Sequence, residues 1–221
     1  MRKLLLLSVV AASVAAPAMA EVSVSGNVAL TTDYHWRNVS QSNQDMAIQG
    51  GLDADFGNGF SLGTWASTVD FDNASDTNVE LDIYGGYGFS AGGIDWGVGG
   101  IYYIYPDSEV DDLDFFELYV SAGKEFESGV SLGASLNWDP DNETIYGDVS
   151  VGYSITDAFS VDAGYGSYLE DNDLGLDGYD GFNVGGTYAT PIGVDLDLRY
   201  YSNDTSGDME DNVVFSISRS M

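Results

Sequence analysis

The 221-residue sequence predicts an all-β chain, a twelve-stranded antiparallel up-and-down transmembrane β-barrel. Three observations carry that prediction. Apolar and polar residues alternate with a period of two almost from end to end, the mark of strands rather than helices. Short turns and longer polar loops interleave strictly. The apolar face bears aromatic residues near both ends of its strands, as at two lipid–water interfaces.

The first residues stand apart from this pattern. Met1-Arg2-Lys3 is basic, Leu4 to Val14 is apolar, and Ala18-Met19-Ala20 is a small-x-small cleavage site. That is a secretory signal peptide over 1–20, leaving an outer-membrane barrel domain over 21–221. Its apolar core is too short to serve well as a spanning anchor. Cleavage removes two of the six basic residues and none of the thirty-six acidic ones, so the net charge moves from −30 to −32. Such a surface repels nucleic acid. It attracts cations or basic partners, and solvation in a salty habitat explains it equally well. The chain has no cysteine, and at 44% hydrophobic and 13% aromatic residues it has ample side chains to bury. Disorder is therefore disfavoured. After the signal peptide no apolar run reaches helical spanning length, so a membrane crossing falls to strands.

The elements follow in order. Val22, Val24, Val28, Leu30, Tyr34 and Trp36 share one face of the first segment, against Ser23, Ser25, Asn27, Thr31, Asp33, His35 and Arg37. Ile48, Leu52, Ala54 and Phe56 then oppose Gln49, Asp53 and Asp55. The third segment changes face, from Phe60 and Leu62 to Trp65, Val69 and Phe71, which predicts a bulge. Val79, Leu81, Ile83, Tyr87 and Phe89 oppose Glu80 and Asp82. Ile94, Trp96, Val98, Tyr102 and Ile104 leave Asp95 on the other face. Phe116, Leu118, Val120 and Phe126 oppose Glu117, Ser121 and Glu125. Val130, Leu132, Ala134, Leu136 and Trp138 form the seventh strand. Ile145, Val149, Val151, Tyr153 and Ile155 oppose Asp148, and Phe159, Val161, Ala163 and Tyr165 oppose Asp162. Phe182, Val184 and Tyr188 follow. Val194, Leu196, Leu198 and Tyr200 oppose Asp195, Asp197 and Arg199, and Val213, Phe215 and Ile217 close the chain.

Short turns at 57–59, 90–93, 127–129, 156–158 and 190–193 alternate with longer loops at 38–46, 72–78, 106–113, 139–143, 169–180 and 202–212. All the short turns, and both termini, fall at one end, the layout of periplasmic turns and external loops. A soluble sandwich or lipocalin-like barrel is the competing fold. Against it stand the two aromatic rows (Phe56, Phe60, Phe89, Trp96, Phe126 and Phe159; then Tyr34, Trp36 and Trp138) and an opposite face rich in Asp, Glu, Ser and Gly. Tyr103, Tyr105, Phe115 and Tyr119 fall on that wet face, where they would narrow the interior.

The stretch LTTDYHWRNVSQS, Leu30 to Ser42, resembles the LTSDYxFRGxSQ segment near the start of the TorF-family porins. These are a proteobacterial outer-membrane barrel family first catalogued as of unknown function. AIQGGLDADFGNGFSLGTWASTVDF (Ala47 to Phe71), ELDIYGGY (Glu80 to Tyr87) and DFFELYVSAG (Asp114 to Gly123) resemble the same family. FSISRSM resembles its usual ending except at the last residue, where an aromatic is expected. Asn38 stands where the family usually has glycine, a departure that bears on the turn there. The resemblance implies an outer-membrane, porin-like channel and no specific solute.

Asp33 and Arg37 lie about 13 Å apart along an extended strand, too far to pair, so Arg37 is expected to bond acids on neighbouring strands. Two readings of this charged face are open: a lining that tunes ion passage, or a salt-bridge network filling a narrow interior. Catalysis has little support. Ser40, Ser42 and His35 are near in sequence, but no G-x-S-x-G elbow occurs. DPDNE (139–143), EDNDLGLDGYD (170–180) and NDTSGDMEDN (203–212) are rich in oxygen ligands without EF-hand spacing, and no metal or cofactor is assigned. The sequence thus predicts a passive pore for small hydrophilic solutes or ions, set in outer-membrane lipid. Its predicted lining is Asp33, His35, Arg37, Asp53, Asp55, Glu80, Asp82, Asp95, Glu117, Asp148, Asp162, Asp195, Asp197 and Arg199. Acids so outnumbering bases should favour cations. A non-conducting structural or surface-interaction barrel is the alternative, and a lipid-modifying enzyme a more distant one.

Overall fold

The computed structural model describes residues 22–71, 77–106, 108, 113–169, 179–204 and 211–221; the signal peptide expected over 1–20 lies outside them. Twelve strands form one closed antiparallel barrel: β1 (Ser23–Thr31), β2 (Ala47–Asp55), β3 (Phe60–Thr68), β4 (Val79–Ala91), β5 (Ile94–Ile104), β6 (Phe115–Glu125), β7 (Val130–Asp139), β8 (Thr144–Ser154), β9 (Phe159–Tyr168), β10 (Asp180–Ala189), β11 (Asp195–Asn203) and β12 (Asn212–Ser220). Each strand pairs with its sequence neighbours, and β1 closes on β12 with Asn27 opposite Ser220 and Thr31 opposite Ser216. Closure leaves no free sheet edge. Met221, in place of the expected aromatic, extends the seam by exchanging backbone hydrogen bonds with Gly26 at 3.1 and 2.8 Å.

The outward face is apolar and open. Leu52, Leu132, Val149 and Leu198 are 60, 49, 53 and 58% exposed. The interior inverts the usual core, for its largest fully buried side chains are Glu80 and Glu117. A water-soluble barrel would exchange these two faces, so the alternation identifies a transmembrane barrel. Moving one Leu or Val from water into hydrocarbon gains roughly 1.5–3 kcal/mol, and the belt repeats that gain around the whole wall. At the short-turn end, Gly92 (φ 64°) and Gly93 (φ 75°) sit between paired Ala91 and Ile94. Both left-handed conformations are what a two-residue type I′ hairpin requires.

Two expectations are corrected. No bulge breaks β3: Gln49 to Asp55 pairs with Ser67 to Ser61, and Phe60 to Thr68 with Tyr87 to Val79, without a slip. Trp65 instead faces inward, where the Tyr34 ring packs 5.3 Å away. The first strand also ends early, at Thr31, and residues 32–46 turn into the barrel. Tyr34 and Trp36 are therefore interior residues, not an interfacial row.

Candidate functional site

The inward segment is built around a two-residue hairpin. His35 pairs with Ser40 and Trp36 with Val39. Arg37 (φ 51°) and Asn38 (φ 66°) form the turn, a type I′ geometry that asparagine tolerates in place of glycine. Asp33 organises the base. Its Oδ1 accepts from Ser40 Oγ at 2.7 Å and Ser42 Oγ at 2.9 Å, while Oδ2 accepts from Asn212 Nδ2 at 2.6 Å and lies 2.8 Å from His35 Nε2. Burial works against the Asp33 carboxylate, but these hydrogen bonds and the neighbouring imidazole outweigh it and hold Asp33 below the usual carboxylate range. The His35 ring stacks on Tyr201 of β11 at 4.0 Å.

From this base the hairpin crosses the interior. Tyr34 Oη donates to Glu80 on β4 at 2.9 Å, and Trp36 packs edge-on against Tyr103 (β5) and Phe115 (β6). Arg37 reaches furthest. Its Nη2 donates to Glu117 on β6 at 2.6 Å and its Nη1 to the Tyr168 hydroxyl on β9 at 2.8 Å. The guanidinium also lies 4.1 Å from the Trp36 ring centroid and 4.5 Å from that of Tyr146 on β8, within cation–π range. Burial disfavours the charge, but Glu117 more than offsets it, and Arg37 stays ionised. Tyr179 donates to the Arg37 carbonyl at 3.1 Å, Asn203 (β11) to the Asn38 carbonyl at 2.9 Å, and Asn183 (β10) to Asn38 Oδ1 at 2.8 Å. At Gly181 the wall comes so close that an added Cβ would lie 2.7 Å from that of Asn38. One loop thus meets β3, β4, β5, β6, β8, β9, β10, β11 and β12 across the long-loop half of the lumen.

The predicted lining divides accordingly. Asp33, His35 and Arg37 belong to the hairpin rather than to the wall, and Arg37 bonds an acid across the barrel, not one on a strand adjoining β1. Glu80, Asp82 and Glu117 lie beside it on the interior wall. A second cluster sits on β9–β11: Arg199 forms a bidentate pair with Asp162 at 2.6 and 2.8 Å, and also meets Asn183 at 2.7 Å and Asp197 at 3.3 Å. Asp53 accepts from Tyr84 at 2.6 Å, and Asp148 from Ser135. Asp55 caps the 57–59 turn through the Gly57 N–H at 2.7 Å, Asp95 accepts from Ser90, and Asp195 is half-buried at the start of β11. These five are not gathered into either cluster. The other two described cations face outward: Lys124 is opposite Leu132, and Arg219 opposite Val28.

Ser40, Ser42, His35 and Asp33 do come together, but both hydroxyls donate to Asp33 and neither to His35. A Ser–His relay needs the opposite arrangement. In the 139–143 loop Asp139 accepts from Asp141, Asn142 and the Asn142 side chain, an ordinary turn. Most of the two later acidic loops lies outside the described residues. Sequence reasoning missed Trp65, Tyr146, Tyr168 and Tyr179. Tyr146 shares parity with Asp148, the same wet-face signal that marked Tyr103; Tyr179, in a loop, carried none.

Solved structures share the barrel. The KdgM porin superposes with a TM-score of 0.62 at 8% identity, covering 89% of this chain and 97% of that one, and is also solved in complex with disordered oligogalacturonate. The NanC porin gives 0.58 at 12%, covering 89% and 98%. The COG4313 outer membrane channel from Pseudomonas putida F1 gives 0.52 at 11%, covering 94% and 97%. No curated protein matches the sequence. A family model matches residues 15–219, and the chain belongs to that family, described as a bacterial protein of unknown function (Gcw_chp).

Proposed function

We propose that this chain is a passive outer-membrane channel for small hydrophilic solutes or ions, favouring cations, and exported by the signal peptide over 1–20. The observation that carries the reading is the state of the interior charges. Arg37 and Arg199 are each already bound to carboxylates, while Asp53, Asp82, Asp95 and Asp148 have no basic partner among the described ion pairs. Rings of acidic side chains favour cations. The KdgM porin takes an anionic sugar chain; the acidic wall here opposes a polyanion of that kind. Porin-like relatives in fold, and the resemblance to TorF-family porins, support the channel reading. The hairpin sets its calibre.

The hairpin laid across the upper lumen favours a second reading, a non-conducting barrel with a structural or surface role. Swelling of liposomes carrying the purified protein separates the two. Entry of pentose-sized sugars at rates above protein-free vesicles supports the channel; rates equal to protein-free vesicles in both sugars and small salts support the other.

A further inference from the structure

The outward wall of β5 to β9 carries a groove of about 470 Å³, within the size range of ligand clefts. Its floor follows from the register. Ala122 lies opposite Trp96 and Ala134, Ala134 opposite Val149, and Gly147 opposite Leu136. Small residues at these outward positions leave their larger neighbours standing as rims. Trp96 rises toward the short-turn end, and at Gly147 an added Cβ would lie 3.2 Å from the Leu136 side chain and 3.4 Å from that of Leu169. The intervening Ser121, Ser135 and Asp148 point inward and offer the groove only backbone. Just past the short-turn end stands Lys124, one outward position beyond Ala122 on β6 and about 7 Å along the strand. Its side chain is exposed, with the ammonium 5.1 Å from the Phe126 ring centroid. No carboxylate pairs with it among the described ion pairs. Among the described strand residues the outward face bears one acid, Asp180, and it lies at the long-loop end of β10, opposite Ser167.

We infer that this groove holds an acyl chain of an anionic glycerophospholipid from the leaflet at the short-turn end, with the lipid phosphate on Lys124. The rims gain dispersion contacts only from a partner that follows their shape, and a flexible chain does so where a rigid surface leaves gaps. Basic side chains at the membrane surface attract acidic headgroups, and a lysine stem lies along apolar wall while its ammonium reaches the headgroup level. A second copy of the barrel fits less well. Copies in one membrane share an orientation, so the level of Lys124 would meet a belt that bears Lys124 and Arg219 and no acid. Phosphate supplies the missing negative charge. The inference rests on the transmembrane wall and not on conductance, so the swelling assay above leaves it untouched.

Native mass spectrometry of the refolded full barrel tests the site, with dioleoyl phosphatidylglycerol and dioleoyl phosphatidylcholine offered in equal amounts. One lysine at the surface predicts a preference of about fivefold for the glycerol lipid in the wild type. Lys124→Gln should bring the two lipids to parity. Arg219→Gln, which removes the other outward cation, should keep the wild-type preference. Ala134→Phe fills the groove and should lose retained lipid of both kinds. A wild type without preference, a Lys124→Gln protein with the wild-type ratio, or an Ala134→Phe protein that retains lipid as the wild type does overturns the inference. So does a lipid-free dimer that Ala134→Phe disperses, which gives the groove to a second copy. Should Ala134→Phe not refold, the wild type, Lys124→Gln and Arg219→Gln decide.

Discussion

Replacing Arg37 by methionine removes the charge that fastens the hairpin while keeping a long apolar side chain. Glu117, 1% exposed, then loses its cation inside the barrel. Breaking a buried pair from one side costs about 3–5 kcal/mol. The stacking of the guanidinium on Trp36 at 4.1 Å and Tyr146 at 4.5 Å adds about 0.5–2 kcal/mol to what is lost. At ~1.4 kcal/mol per decade, the lower bound of 3 kcal/mol already moves the docked-to-undocked ratio of the hairpin by roughly a hundredfold. Single-channel recording should therefore show a larger conductance or more frequent opening, and urea unfolding a lower midpoint. Arg37→Met combined with Glu117→Gln removes the stranded charge and should recover most of the stability, with a coupling of about 2 kcal/mol or more. A single variant within ~0.5 kcal/mol of wild type and with unaltered conductance would refute the latch.

Other outcomes follow from the same geometry. Gly181→Val places a Cβ 2.7 Å from that of Asn38; it should cost about 1–3 kcal/mol through overpacking and raise protease access to residues 32–46, read by limited digestion. Asp33 is held below its ordinary value near 3.8, so its stabilisation of the hairpin is complete above that pH and fades as pH falls through the lowered value. Conductance should rise below about pH 4, and Asp33→Asn should abolish that acid step. Leu198→Lys, on the outward face at 58% exposure, should destabilise the barrel by about 2–4 kcal/mol if it lies at the bilayer midplane, measured by unfolding from lipid vesicles.

The barrel wall was legible because each strand pairs only with its neighbours, and burial on one face writes itself into the sequence with a period of two. The hairpin escaped for the same reason. A type I′ turn at Arg37-Asn38 preserves alternation, so Tyr34 and Trp36 keep the parity of Leu30 although the chain has left the wall. Parity records which residues share a face, not where that face points after a bend. Trp65 read as a slipped register because its true partner, Tyr34, is distant in sequence and lies inside the lumen. Asp162 and Arg199 were both placed on the inner face, but only the fold brings them together across β10. Small inward residues such as Gly181 and Gly166, which give room to Asn38 and Tyr146, carry no meaning until those partners are known.

The proposed acid-walled, ion-conducting lumen is read most directly by a reversal potential under a salt gradient. Wild-type protein in a planar bilayer with tenfold more potassium chloride on one side should give a potential of the sign that marks potassium as more permeant than chloride. A potential of the opposite sign, or no current at all from correctly folded protein, would contradict it.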